Sequence, residues 1–236
     1  MNTENPFYNK DEAKTITIGH LPHLSQQQKL YAVTFRLQDS LPKMAIESYL
    51  KECKELYGDD QSAFKSKRES FMHKKMMEYL DMGYGECLLR NPDARKIIEE
   101  AFRYIHENMA TVHAYVIMPN HVHIVLETKE DVEIQQVMHN LKRYTASKIN
   151  QLLQREGSVW QREYYDRIIR NEAHYENAIK YIINNPCHCH AGEYSLGGQA
   201  LGGQVCNLPN KQGSIIYIER PFGQGTFGQV TNLPSQ

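Results

Sequence analysis

The chain lacks any apolar run near twenty residues, and its mean hydropathy is −0.61. Together these exclude a membrane-spanning helix, which needs about 20 consecutive apolar residues. It also lacks a surplus of either charge: 27 Lys and Arg stand against 28 Asp and Glu, a formal net charge of −1. Any binding to nucleic acid must then come from a local cluster of basic residues and not from the whole chain. Cysteines are few. Cys53, Cys87, Cys187, Cys189 and Cys206 are odd in number and show no scaffold spacing, so free thiols in a reducing cytoplasm are expected. Met1 to Lys14 is polar and mixed in charge, and no signal peptide is expected there. What remains is an ordinary globular composition, 41% hydrophobic and 23% charged over 236 residues. That suffices for one large domain with appendages.

Residues 1–28 read as a polar, loosely held arm. Leu30 to Leu37 is β-branched and aromatic and predicts a strand. Ser40 is the expected cap of a helix reaching about Leu56, with Pro42 in its first turn. Residues 59–80 are strongly charged, and across 65–78 Lys65, Lys67, Arg68, Lys74 and Lys75 face only Glu69 and Glu78. They read as a helical hairpin inserted in the domain at about 57–80, either solvated or contacting phosphates. Asn91-Pro92-Asp93 opens a helix through Asn108. Thr111 to Met118 and His121 to Thr128 predict two strands joined by Pro119-Asn120, an antiparallel hairpin. A long amphipathic helix follows, from Asp131 to about Leu153. Gln161 to Ile169 predicts a strand or extended loop, and Glu172 to Asn185 a helix stopped by Pro186. Residues 191–236 hold nine of the fourteen glycines and six glutamines. They read as a largely disordered tail with an imperfect repeat, Gly203 to Pro209 against Gly228 to Pro234, and a short strand at Ile215 to Ile218. The order of elements predicts one α+β domain over 29–190, an antiparallel sheet of four to five strands with helices packed on it.

Chemistry concentrates first in His121-Val122-His123. Residues two apart on a strand share a face, so both imidazoles aim at one spot while Val122 turns to the core. That is half of a divalent-metal site; idle imidazoles on a sheet face are the competing reading. The last helix offers the other half. At about 100° per residue, with Tyr181 at zero, Asn185 falls at about 40° and His174 at about 20°, away from Tyr175, Ile179, Ile182 and Ile183. A phenol nucleophile and an amide ligand at i, i+4 then face one site. Two histidines, an amide and open positions suit Mg²⁺ or Mn²⁺ holding a phosphate. A tyrosine attacking a phosphodiester gives a phosphotyrosyl ester of comparable energy, which suits strand cutting and rejoining. Lys180 or His174 are candidates to ease loss of the phenol proton.

Basic residues follow the same geography. Between Leu141 and Arg170 lie seven (Lys142, Arg143, Lys148, Arg155, Arg162, Arg167, Arg170) against three acids, with Tyr144, Trp160, Tyr164 and Tyr165 interleaved. Cations with aromatic platforms serve single-stranded DNA; a solvated helix plus core aromatics is the plainer reading. Cys187-His188-Cys189-His190 is dense in soft ligands. Four consecutive ligands cannot close on one ion, so the cluster reads as incidental.

The run Val116-Ile117-Met118-Pro119-Asn120-His121-Val122-His123 resembles the HUH motif of single-tyrosine transposases, in the branch of REP-associated tyrosine transposases. Further landmarks resemble that family in order: His20 to His23, Val33 to Pro42, Gly85-Glu86-Cys87, Val159 to Asp166, and Tyr181-Ile182-Ile183-Asn184-Asn185-Pro186. The resemblance spans about residues 16–190. It implies a ferredoxin- or RRM-like HUH endonuclease layout. It also implies divalent-metal-dependent cleavage of single-stranded DNA near hairpins through a 5′-phosphotyrosine. Carried over, His121 and His123 are metal ligands, Asn185 the third ligand and Tyr181 the nucleophile. Arg36, Lys142, Arg143, Lys148, Arg155, Trp160, Arg162 and Arg167 are the expected DNA contacts. Departures are the Cys187 to His190 run, an arm short of basic residues and the near-neutral net charge. The expected setting is cytoplasmic and nucleoid-associated, as a homodimer or a monomer. A domesticated hairpin-DNA-binding protein that has lost catalysis is the alternative from another class, and a metal hydrolase or RNA-binding module a third.

Overall fold

The computed structural model describes residues 5–13, 15–17, 23–58, 65–190 and 192–201. Its centre is a five-stranded antiparallel sheet in the order β6-β3-β5-β4-β7. The strands are β3 (Leu30–Arg36), β4 (Ala110–Ile117), β5 (His121–Thr128), β6 (Tyr165–Ile168) and β7 (Ser195–Gly197). A two-stranded ribbon, β1 (Thr15–Thr17) with β2 (His23–Ser25), precedes them. Without β7, the chain runs strand, helices, strand, strand, helix, strand, and the four strands lie in the order fourth, first, third, second. This is the expected ferredoxin-like layout, and the fold is α+β.

Strand alternation sorts the side chains into two cores. Tyr31, Val33, Phe35, Val122, Ile124 and Leu126 face α3 (Pro92–Asn108) and α4 (Ile134–Leu152), meeting Ile98, Phe102, Val137 and Leu141. Ala114, Val116 and Val125 face the other way, onto Tyr175, Ile179 and Ile182 of α5 (Glu172–Asn184). His121 and His123 share the parity of Val125, so they lie on the α5 face. Asn91 caps α3 as its sequence suggests, accepting from Asp93 N at 2.8 Å.

Four expectations change. First, α1 (Lys43–Tyr57) begins after Pro42 without a side-chain cap; the Ser40 hydroxyl is buried and donates to Leu37 O at 2.8 Å instead. Second, the charged stretch is not a hairpin of its own. A single helix, α2 (Lys65–Asp81), lies antiparallel to α1, with Lys75 on Glu52 at 3.0 Å and Tyr79 against Tyr49. Third, the arm is docked. Tyr8 N donates to Ile169 O at 2.9 Å and Leu30 N to Pro6 O at 2.8 Å, while Lys29, 1% exposed, reaches Asn5 O and pairs with Glu12 at 2.7 Å. Backbone pairing to an edge, invisible in composition, fixes it. Fourth, the domain runs past 190. β7 pairs with β4, and Arg95 ties the segment down by donating to Ser195 Oγ and to Gly192 O. The glycine there is a requirement of space: at Gly198, φ +127°, a Cβ would stand 2.5 Å from His113 O. The repeated segments and the strand expected at Ile215 to Ile218 lie outside the described residues. Among the described residues no helix is long and apolar enough to cross a membrane.

Candidate active site

The β4–β5 turn is built by the motif itself. Met118 N donates to His121 O at 2.8 Å, and Asn120 O accepts from Leu37 N at 2.9 Å. Asn120, fully buried, is the hub. Its Nδ2 donates to Leu80 O at 3.1 Å and Tyr84 O at 3.0 Å, tying the end of α2 to the turn. Its Oδ1 lies 2.7 Å from His121 Nδ1. Because both amide protons go to carbonyls, Oδ1 must face the imidazole, and His121 Nδ1 carries the proton. Burial holds the His121 pKa down to about 3, so the ring is neutral and Nε2 presents its lone pair. His123 is placed in the same manner: Nδ1 lies 2.7 Å from Thr34 Oγ1 on β3, its cross-strand partner. Burial, then the neighbouring His121 and His73, keep its pKa well below the usual histidine value.

The two rings meet edge to face with centroids 4.7 Å apart. Tyr181 from α5 stands 5.0 Å from His123, centroid to centroid, at 83°. The contact lies within one chain. Tyr181 keeps 43% of its surface exposed, yet its phenol is crowded. Burial first, then the Asp81 carboxylate, push its pKa up to about 12, against a lowering hydrogen bond with Asn185. Asn185 ends α5 and is itself buried.

Among the described residues, three of the buried side-chain atoms without a hydrogen-bond partner are His121 Nε2, His123 Nε2 and Asn185 Oδ1. A buried polar atom left unsatisfied costs about 1–3 kcal/mol, so each of the three asks for a partner; the two rings touch, and Asn185 hydrogen-bonds the tyrosine that packs on His123. Two imidazole nitrogens and an amide oxygen fit a divalent cation such as Mn²⁺ or Mg²⁺. The described residues contain no group of three His, Cys, Asp or Glu that would hold an ion alone; the set depends on the amide. Asn120 and Thr34 would orient its two histidines from behind.

A cavity of about 240 Å³ opens beside the pair, lined by Thr34, His73, His123, Tyr165, Arg167, His174 and Tyr181 among others. His73, from α2, packs on Tyr165 at 4.2 Å, and burial followed by Arg167 lowers its pKa to about 4. Sequence reasoning passed over His73, Asp81, Thr34 and the role of Asn120. The first two sit in a segment whose charge reads as solvated surface. Of the two suggested aids to the phenol, His174 lines this cavity, whereas Lys180 pairs with Glu176 at 3.6 Å.

The basic set divides. Arg36 lies across from His121 on β3, half-buried. Arg167 projects from the edge strand β6 over the Tyr165 ring, 5.7 Å from its centroid. Lys142, Arg143, Trp160 and Arg162 line a groove of about 390 Å³ between α4 and residues 158–164, on the opposite side of the sheet. Two of these are not free contacts. Trp160 is 6% exposed, donates Nε1 to Thr145 Oγ1 at 2.9 Å and meets Phe35 edge-on; it belongs to the core. Lys142 donates to Gln161 O at 2.8 Å and Arg162 O at 2.6 Å, and burial brings its pKa down to about 8. Arg155 pairs with Glu86 at 3.0 Å. Arg143, Lys148 and Arg162 are exposed. Of the Cys187 to His190 run, the side chains of Cys187 and His188 lie outside the described residues.

An antiparallel sheet presenting a His-x-His pair to a tyrosine and an amide on a facing helix defines the class of the site. Residues 84–185 match the model of the family described as Transposase IS200 like. His121, His123, Tyr181 and Asn185 all fall inside that match, so the resemblance carried by the motifs is borne out over this segment; Thr34, His73 and Asp81 fall outside it. An uncharacterized protein of Haemophilus influenzae is 30% identical over 93 residues, covering 30% of this chain and 52% of that protein. The match thus spans about half of that relative's length. A solved structure, described as a REP-associated tyrosine transposase bound to a REP hairpin, aligns with 72% of this chain and 74% of its own. The TM-score is 0.43 and the identity 12%. A likeness at that level bears on neither substrate nor mechanism.

Proposed function

We propose that the chain is a single-tyrosine HUH transposase, nicking and rejoining single-stranded DNA near hairpins through a 5′-phosphotyrosine. The observation that carries this reading is the convergence of three partnerless buried donors, His121 Nε2, His123 Nε2 and Asn185 Oδ1, on the face where Tyr181 stands. The family match over 84–185 supports it. A divalent cation bound by His121, His123 and Asn185 would supply positive charge to a phosphate oxygen and to the forming phenolate. The chain's own residues do the rest. α5 aims Tyr181, and Asn185 hydrogen-bonds its phenol. The phenol oxygen bonds to phosphorus as the P–O3′ bond breaks; the phenol proton is released and the departing 3′ oxygen takes up another. Rejoining reverses this. With its pKa near 12, Tyr181 stays protonated and unreactive until a substrate and cation are in place.

Incubation with labelled hairpin-bearing single-stranded DNA and Mn²⁺ tests the reading. A covalent adduct that disappears in Tyr181→Phe and in His121→Ala is expected. DNA binding with no adduct would instead support the domesticated binder. An adduct surviving Tyr181→Phe but lost in Tyr144→Phe would move the nucleophile to α4, on the other side of the sheet.

A further inference from the structure

We propose that His113 is a positioning residue for Tyr181: from a bulge in β4 it ties α5 to β5 through Tyr175 and Glu127, and so sets where the phenol stands over His123. Its bearing on catalysis rests on the reading of Tyr181 as the nucleophile.

The pairing of β4 with β5 slips between Val112 and Ala114, and His113 is the extra residue. Val112 and Tyr115 both lie in the core beneath α3 and α4. Ala114 lies in the core beneath α5, and His113 joins it there, so two successive residues take one face. A bulge re-aims a side chain in this way. Here it sends an imidazole, 2% exposed, to Tyr175 in the core that holds Ile179 and Ile182. Nδ1 lies 3.1 Å from the Tyr175 hydroxyl on α5, and Nε2 lies 3.3 Å from Glu127 Oε2 on β5. A carboxylate only accepts, so Nε2 donates to it, and the phenol hydroxyl satisfies Nδ1.

Glu127 shares the strand face of His123, four residues earlier, and Tyr175 precedes Tyr181 by six. α5 therefore meets β5 at two points. One is Tyr175, through His113 to Glu127; the other is Tyr181 on His123, with centroids 5.0 Å apart. The apolar contacts of Ile179 and Ile182 are non-directional and leave a helix free to slide or roll, whereas hydrogen bonds hold distance and angle. The bulge is itself clasped. At Gly198, just past β7, a Cβ would stand 2.6 Å from Ala114 Cα, so the two backbones touch there. Fixed contacts thus run from the β7 edge of the sheet to the tyrosine.

Two measurements test this. One is the rate of adduct formation on labelled hairpin-bearing single-stranded DNA with Mn²⁺. The other, read without metal, is the fluorine resonance of a fluorotyrosine placed at position 181, with His123→Ala marking where it falls once the ring contact is lost. Tyr175→Phe should slow the adduct about ten-fold or more, since a misplacement of about 1 Å can cost about 100-fold. It should also move the resonance toward the His123→Ala value, with DNA affinity within about two-fold of wild type. The double variant Tyr175→Phe with His113→Leu removes both buried partners together, and solvent reaches Glu127. It should melt near wild type yet stay slow. His113→Gln, able to donate to Glu127 and to accept from Tyr175, should recover most of the rate. Ile98→Val, in the opposite core, should change neither measurement. An unmoved resonance or a wild-type rate in Tyr175→Phe overturns the assignment, as does a double variant whose rate returns with its stability. If wild type forms no adduct, the single-tyrosine reading fails and the resonance alone decides. Unmoved in Tyr175→Phe, it overturns the role of His113 as well; moved, it leaves His113 as the group that positions Tyr181.

Discussion

Asn120→Ala removes the one side chain that serves the turn, the helix end and the imidazole together. Three hydrogen bonds vanish: those to Leu80 O, Tyr84 O and His121 Nδ1. The Leu80 carbonyl and the His121 N–H lie in fully buried surroundings, whereas the Tyr84 carbonyl is partly reached by solvent. At about 1–3 kcal/mol for each buried group left unpaired, the loss should be about 2–5 kcal/mol. For a chain of this size that lowers the melting temperature by roughly 5–15 °C. A second consequence is separable. Without Asn120 Oδ1 the proton of His121 is free to move to Nε2, so the lone pair is no longer fixed toward the proposed cation site. Mn²⁺ affinity should fall by about 10–100-fold, the usual cost of losing a group that orients a ligand. Urea unfolding gives the first quantity and Mn²⁺ calorimetry at a temperature where the variant is folded gives the second. A variant that loses less than about 1 kcal/mol and binds Mn²⁺ like wild type would refute the hub argument. A variant that is destabilised but binds Mn²⁺ normally would refute only the tautomer argument.

Trp160→Phe should lower stability by about 1–3 kcal/mol, because Thr145 Oγ1 loses its donor inside the core, while single-stranded DNA affinity stays unchanged; a loss of DNA affinity at constant stability would restore Trp160 as a stacking platform. Arg167→Ala should weaken DNA binding and reduce its salt dependence, since Arg167 stands exposed beside the Tyr181 cavity. Arg155→Ala, already paired with Glu86, should do neither, and filter binding across a salt series compares them. Acid should destabilise the fold through its buried histidines. The pKa of His73 falls from an ordinary 6.5 to about 4 on folding, so the unfolded chain takes up a proton first. Stability is complete above about pH 6.5 and about 3 kcal/mol is lost as pH falls toward 4, with His121 adding in the same direction. His73→Phe should flatten that slope in urea titrations at a series of pH values, and an unchanged slope would contradict the burial of His73.

The sheet was legible in the sequence because each strand alternates and the turn residues stand between them. His121-Val122-His123 could be assigned a face from parity alone, and the structure puts Val122 and Ile124 in one core and the histidines on the other side. The stripe of Tyr181 and Asn185 was legible for the same reason, as a departure from the apolar face of α5 that sends Tyr175, Ile179 and Ile182 into the second core. What did not show was any partnership without a period. Asp81 and His73 belong to a stretch rich in lysine, where charge alone indicates solvent. Only the packing of α2 on α1, and the grip of Asn120 on Leu80 O, turn its end toward β5. Trp160 erred in the other direction. Interleaved with cations it reads as a platform for bases, but the bridge between Leu37 and Trp160 folds its ring against Phe35.

The division of the basic residues bears on how a near-neutral chain would handle DNA. Arg36 and Arg167 flank the face of the histidine pair, whereas Arg143 and Arg162 border a groove on the far side of the sheet. The β6 edge lies between the two, with Tyr165 and Arg167 lining the cavity beside the histidine pair and Tyr164 lining the far groove. That edge is the short, four-residue strand. It is also where the docked arm attaches: His23 stacks on Tyr164 at 4.3 Å and is bound to Asp166. The aromatics at this edge are already packed, Tyr164 under His23 and Lys142, and Tyr165 under His73 and Arg167. If the chain binds single-stranded DNA as proposed, the local arrangement of a few cations around the β6 edge, and not the total of −1, would set the electrostatic contribution, because charges more than about 8 Å apart are screened at physiological salt.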